Sequence, residues 1–204
     1  MNKRGLFIVF EGIDGSGKTT LAKLLTEKLA SKGHNVHFTY EPTHGTWGEK
    51  LRESFTANRR LDLKEELELF LKDRKDHVEQ EIRPLLAKGS IIICDRYYYS
   101  TMAYQGARGM DPQIIEKANK AFAPEPDILF LLKIEPKNAL KRIRQGRKES
   151  PNNFEKLDYL KKVDKIFDGL VGDHIVRVKA EQPAEQSLEM IMNVLKERFS
   201  LNNH

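Results

Sequence analysis

The chain has 204 residues, 39% apolar and 8% aromatic, with 35 basic against 30 acidic side chains and a formal charge of +5. That length suits one domain, residues 1–204. The basic residues are dispersed among acids with no aromatic-interleaved block, which argues against a nucleic-acid partner and leaves an anionic small substrate such as a nucleotide. The single cysteine, Cys94, ends an apolar run, no stretch reaches transmembrane length, and the apolar part of the start MNKRGLFIVFEG is too short for a secretory leader; a cytoplasmic protein with no membrane partner is expected.

Leu6–Phe10 is a near-continuous apolar run and predicts a strand buried on both faces. GIDGSGKT, Gly12–Thr19, follows at once and matches G-x-x-x-x-G-K-[ST]. Gly12, Gly15 and Gly17 let backbone N–H groups close around phosphate oxygens, with Asp14 and Ser16 between them. The helix beginning near Lys18 directs its positive end at the same oxygens. Lys18, expected to stand exposed, can reach the β- and γ-phosphates, and Thr19 can offer its hydroxyl to Mg²⁺, with Thr20 beside it. Leu21, Leu24, Leu25 and Leu29 recur at helical spacing. The motif implies a nucleoside triphosphate and leaves the acceptor open.

Val36–Tyr40 predicts a second strand, and Leu67, Phe70, Arg74, Val78, Ile82 and Leu85 predict a helix. Phe70 and Arg74 share a face of it, where spacing alone reads Phe70 as core and Arg74 as solvated. Ile91–Cys94 predicts a third strand, and Asp95 and Arg96 stand at its carboxyl end, where open parallel sheets bind ligands. Asp95 reads either as the acid that holds Mg²⁺ with Arg96 as a phosphate fork, or as part of a cap on the next helix. Tyr104 and Gln105 carry polar tips suited to a sugar or base pocket, or to a helix surface. Ile128–Leu132 and Ile175–Val178 complete five predicted strands, and Leu188–Phe199 predicts a closing helix. Strand and helix alternate, so the fold class is α/β with right-handed crossovers. The polar stretch Arg144–Asn153, with Gly146 and Pro151, reads as a lid.

Taken together, FEGIDGSGKTT (10–20), EPT (41–43), GEKLR (48–52), FLKDR (70–74) and DRYYYSTMAYQGARG (95–109) resemble thymidylate kinases, the nucleoside monophosphate kinases that phosphorylate dTMP with ATP. The resemblance covers nearly the whole chain. It implies the phosphate-loop nucleoside monophosphate kinase fold, a five-stranded parallel sheet flanked by helices with a short lid at about 142–154. It also implies Mg²⁺ with ATP and a homodimer.

On the acceptor side the resemblance implies that Phe70 stacks on thymine and Arg74 hydrogen-bonds a base carbonyl. An aromatic face holds any base, while a fixed donor rewards a keto group. Asp14 would meet the deoxyribose 3′-hydroxyl, Tyr104 would crowd the 2′ position, and Arg96 would clamp the acceptor phosphate, with Arg52 a candidate helper. Ser100 and Thr101 would reach the base edge, and Glu41 and Gln105 complete the substrate set. On the donor side Arg142 would stack on adenine. Gly15 stands where some relatives carry an arginine, so the lid would supply that charge through Arg144 or Arg147. The chain departs from the family at YEPTHGT, where Tyr40 replaces an arginine and Thr43–His44 are unusual, and at NNFE, Asn152–Glu155. His77 has no role beyond a structural hydrogen bond. Rival readings are a kinase of another acceptor and a nucleotide-gated module without turnover.

Overall fold

The computed structural model describes residues 4–56, 61–146 and 157–201. Five strands run in parallel: β1 (Phe7–Gly12), β2 (Val36–Tyr40), β3 (Ile91–Asp95), β4 (Ile128–Lys133) and β5 (Ile175–Lys179). Their order is β2-β3-β1-β4-β5. Each coincides with a predicted strand to within two residues. The reason is burial: every residue of β1 and β3 is buried, as an unbroken apolar run demands, while the edge strands β2 and β5 are only partly so. Each fully buried Ile, Val or Phe stabilises by roughly 1.5–3 kcal/mol.

Nine α-helices are described: α1 (Lys18–Ala30), α2 (Thr46–Thr56), α3 (Leu63–His77), α4 (Arg83–Ala87), α5 (Tyr98–Gly106), α6 (Pro112–Lys120), α7 (Pro136–Gly146), α8 (Leu157–Asp168) and α9 (Ala184–Phe199). Asp62 starts α3 with a capping box, accepting from the N–H of Lys64 at 2.8 Å and of Glu65 at 2.9 Å while the Glu65 side chain returns to the Asp62 N–H. The single helix expected over residues 67–85 is α3, a π-helical turn at Val78–Ile82, and α4 in succession.

The chain leaves β1 toward β2 on one side and leaves β3 toward β4 on the other. The crevice at the carboxyl ends of β1 and β3 is therefore the topological switch point, where such sheets take ligands. Among the described residues no helix is long and apolar enough to cross a membrane.

Candidate active site

The loop from Ile13 to Gly17 joins β1 to α1. Gly15 has φ of +81°, and a Cβ there would lie 2.5 Å from the Ala139 carbonyl oxygen on α7. Gly12 has φ of +139°, and its Cβ would meet the Leu132 carbonyl oxygen at 2.6 Å. No other residue fits either position. Gly17 forms the N-terminal cap of α1.

Lys18 is buried, contrary to the exposed position expected for it. Its Nζ donates to the Ile13 carbonyl at 3.0 Å, so the side chain curls back over the loop. Burial, then the nearby Arg96 charge, lowers its pKa to about 8 against the pull of Asp14, Asp95 and Glu11. The Thr19 hydroxyl donates to Asp95 Oδ2. Asp95 Oδ1 and Ser16 Oγ are buried with no partner among the described residues. A buried carboxylate oxygen left without a donor, beside a hydroxyl, is a donor set for a hard cation. No group of three or more His, Cys, Asp or Glu placed to hold a metal ion is present among the described residues, so a cation here would complete its shell with phosphate or water.

Arg96 sits in the left-handed region, φ 73°, directly after β3. It donates through Nη2 to Asp14 Oδ1 and through Nη1 to Ser100 Oγ at 3.1 Å. Burial raises the Asp14 pKa, but Arg96 and Lys18 outweigh it, and the carboxyl is held below its ordinary value. Glu11, a residue the sequence reading passed over, organises this turn from within β1. It accepts from the Tyr97 N–H at 2.8 Å, the Ser100 N–H at 3.0 Å and the Ser100 hydroxyl at 2.6 Å. Burial pushes its pKa up to about 7 despite those donors. The start of α5 thus takes its cap from a neighbouring strand.

A cavity of about 180 Å³ opens beside this turn. Asp14, Glu41, Phe70, Arg74, Arg96, Ser100, Thr101 and Tyr104 all line it. Phe70 is half-buried, with its ring 6.3 Å from that of Phe55, so it faces the cavity. Phe55 and Glu66 are further lining residues that sequence reasoning missed; neither carries a motif, and only the packing of α2 on α3 brings them there. Gln105 is buried, has no partner for its amide among the described residues, and does not line this cavity. Arg52 is engaged elsewhere, donating to the Pro42 carbonyl at 2.8 Å, the Thr43 carbonyl and Glu49. Thr43 has a clear purpose: its N–H and hydroxyl bond the Asp73 carboxylate at 2.8 and 2.6 Å, tying the loop after β2 to the helix that carries Phe70 and Arg74.

A second cavity, about 270 Å³, is lined by other residues of the same loop. Gly15, Ser16, Gly17, Thr20 and Arg142 line it, together with Gln182 and Ser187, which the sequence reading did not single out. Arg144 is exposed in the last turn of α7 and lines neither cavity. Arg147 and the NNFE stretch lie outside the described residues, as does the greater part of the expected lid.

Consecutive loop residues thus line different cavities, Asp14 one and Gly15 the other. A five-stranded parallel sheet with this glycine loop between β1 and α1 is a phosphate-loop kinase-like fold. The thymidylate kinase family model matches residues 10–191. The chain is 44% identical to the thymidylate kinase of Desulfotalea psychrophila, over 95% of this chain and 96% of that one. It is 46% identical to that of Xanthomonas oryzae pv. oryzae, over 96% and 87%, and 41% identical to that of Brachyspira hyodysenteriae, over 95% of each. The chain belongs to the thymidylate kinase family, phosphotransferases that convert dTMP to dTDP with ATP.

Proposed function

We propose that this chain transfers the ATP γ-phosphoryl group to the 5′-phosphate of dTMP with the residues of the two cavities. The observation that carries this is that consecutive residues of the phosphate loop line two cavities, Asp14 one and Gly15 the other, which supports a donor and an acceptor site meeting at the loop. In-line transfer needs positioning and charge neutralisation and no covalent nucleophile.

In this reading the loop N–H groups and Lys18 take the β- and γ-phosphates, and Arg142 lies along the adenine. Phe70 stacks on thymine, Arg74 donates to its carbonyl, and Thr101 stands at the base edge. Arg96, held by Asp14 and Ser100, clamps the acceptor phosphate, while Asp14 meets the 3′-hydroxyl and Tyr104 fills the space beside C2′. Thr19 and Asp95 are the residues that would hold Mg²⁺, and the unpartnered Asp95 Oδ1 supports this. The bound ion neutralises charge on the phosphates. Arg144 is the described candidate for the equatorial oxygens, and Arg147 a further one on the sequence. The family also suggests a homodimer, and the buried free thiol of Cys94 suits the reducing cytoplasm.

A coupled ADP-release assay with dTMP, dUMP, UMP, dCMP, thymidine and no acceptor tests this. Turnover highest with dTMP is expected. Turnover highest with UMP or thymidine would assign another acceptor, and ATP binding with no ADP from any acceptor would make the chain a binding module.

A further inference from the structure

Arg74 is among the most buried large side chains of the protein, 1% exposed. A guanidinium so placed holds one orientation only if its nitrogens are satisfied. Three elements supply its partners. Asn119 Oδ1 on α6 accepts from Nη1 at 2.6 Å, and Thr101 Oγ1 on α5 accepts from Nη2 at 3.1 Å. The Asn119 amide nitrogen donates to the Ile115 carbonyl at 2.8 Å, which settles that the oxygen end faces Arg74. Glu41, just past β2, supplies the rest.

The geometry of Glu41 is unusual. Arginine and carboxylate prefer a two-oxygen fork. Here Nε and Nη2 both converge on a single oxygen, Oε2, at 2.8 and 2.7 Å. The other oxygen, Oε1, is 3.0 Å from His77 Nδ1. His77 lies three residues beyond Arg74 on the same helix face, so one buried carboxylate is gripped by both. The imidazole is held in turn: Nε2 is 2.7 Å from Thr39 Oγ1 on β2 and 3.8 Å from Glu81 Oε1 in the π-helical turn. Glu81 Oε1 also meets His37 Nε2 at 2.6 Å. A continuous polar chain therefore runs from the cavity to the protein surface.

We propose that His77 is a positioning residue for base recognition: by claiming Glu41 Oε1 it keeps Glu41 from forming a two-oxygen fork with Arg74, and so keeps the guanidinium aimed into the acceptor cavity. This deepens the proposed function and rests on Arg74 being the base-reading donor. Remove the imidazole N–H and Oε1 becomes a buried acceptor without a donor. The carboxylate then turns to satisfy both oxygens on Arg74, and the guanidinium tilts with it. The acceptor base loses an aligned donor, whereas the ATP cavity, which none of these residues lines, is untouched.

The experiment compares the dTMP-to-dCMP ratio of kcat/KM, and the KM for ATP, in wild type, His77→Leu, His77→Gln and Arg74→Ala, with each fold checked by circular dichroism. His77→Leu is expected to lower the ratio about fivefold or more, the scale of one hydrogen bond, with the KM for ATP within about twofold of wild type. His77→Gln, whose amide N–H can replace the imidazole donor, is expected to restore most of the ratio. A folded His77→Leu with an unchanged ratio overturns the proposal, as does equal loss in both His77 variants, which would mark packing and not donation. Should His77→Leu fail to fold, Thr39→Val removes the contact that holds the imidazole; a fall in the ratio supports the proposal and an unchanged ratio overturns it. Arg74→Ala separates the two levels. If it leaves the ratio unchanged, Arg74 does not read the base, and both the reading and the inference fall. If it lowers the ratio while His77→Leu does not, the inference alone falls.

Discussion

The backbone N–H of Asp14 donates to the Tyr104 hydroxyl across 2.9 Å, so the phosphate loop is bonded to a side chain that lines the cavity shared by Phe70, Arg74 and Arg96. Tyr104 also lies under Arg96, whose guanidinium carbon is 5.4 Å from the ring centroid. One side chain therefore contacts both the loop and Arg96 while it lines the cavity. The two halves of Tyr104 can be separated. Tyr104→Phe keeps the ring and deletes the acceptor of the Asp14 N–H, so kcat is expected to fall severalfold with selection of deoxyribose retained. Tyr104→Ala opens the space beside C2′, and UMP is expected to improve relative to dUMP. Acceptor kinetics of the two variants check this; an unchanged UMP-to-dUMP ratio in Tyr104→Ala would move sugar selection elsewhere.

Lys18→Met is expected to abolish transfer without weakening the fold. The native protein holds the Lys18 pKa at about 8, below its ordinary 10.5. Between those values the unfolded chain binds more protons than the folded one, so the buried ammonium costs stability below about pH 8 and this cost fades as the pH rises. An apolar side chain of similar length avoids that cost. Coupled assay and thermal melts at neutral pH check both parts: no ADP formation, and a Tm equal to or above wild type.

Phe70→Ala is expected to weaken dTMP binding by roughly 1–3 kcal/mol, the scale of base–aromatic stacking. The KM for ATP is expected to stay put. Because Phe70 is half-buried and its ring neighbours Phe55 at the cavity, the fold is expected to survive. Titration calorimetry with dTMP reads the effect directly; an unfolded variant would return Phe70 to the core.

His77 gives the stability an alkaline edge. Burial disfavours the imidazolium, but hydrogen bonds to Glu41 and Glu81 and their charges outweigh it and raise the pKa from 6.5 to about 9. A raised pKa contributes stability that is complete below 6.5 and is lost as the pH climbs through about 9. The amount at stake is on the order of 3 kcal/mol at most. Arg74 beyond Glu41 and His37 beyond Glu81 complete the charged surroundings. Denaturant unfolding of wild type and His77→Gln across this window is expected to show the decline in wild type and a flatter profile in the variant.

The strands and the phosphate loop were legible in the sequence because both follow from local order. An apolar run with no alternation has one reading in a chain of this class, and the glycines at 12, 15 and 17 fit a single motif. Glu11 was not legible, although it sits inside the quoted motif: its partners Tyr97 and Ser100 lie more than 80 residues on, and only the pairing of β1 with β3 brings them together. Glu41 and His77 were each named from the sequence, one for substrate and one for a structural hydrogen bond, but their pairing was hidden for the same reason, the two being 36 residues apart. Lys18 was misjudged for another: a motif names the residue but does not tell whether the side chain extends or folds back onto its own loop.

The last expectation concerns charge at the transferring group. The transition state spreads negative charge over three equatorial oxygens, and an arginine there is worth roughly 10³–10⁵ in rate in related systems. Position 15 cannot supply one. Its backbone lies at φ +81°, and a Cβ would stand 2.5 Å from the Ala139 carbonyl and 3.0 Å from the Ile143 side chain. The same contact that excludes a side chain joins the phosphate loop to α7, the helix that ends with Arg144 in its last turn. Arg144 therefore stands on a helix that already touches the loop. Arg144→Ala is expected to lower kcat at least about a hundredfold while the KM for dTMP stays near wild type, because the contact forms in the transition state. Arg142→Ala, altering a residue that lines the second cavity, is expected to raise the KM for ATP instead. Steady-state kinetics of both variants, with Arg144→Ala/Arg147→Ala as a double variant, decide the matter. Full kcat in the double variant would place the compensating charge on other residues, with Arg96 a described alternative, since it already spans Asp14 and Ser100 beside the loop.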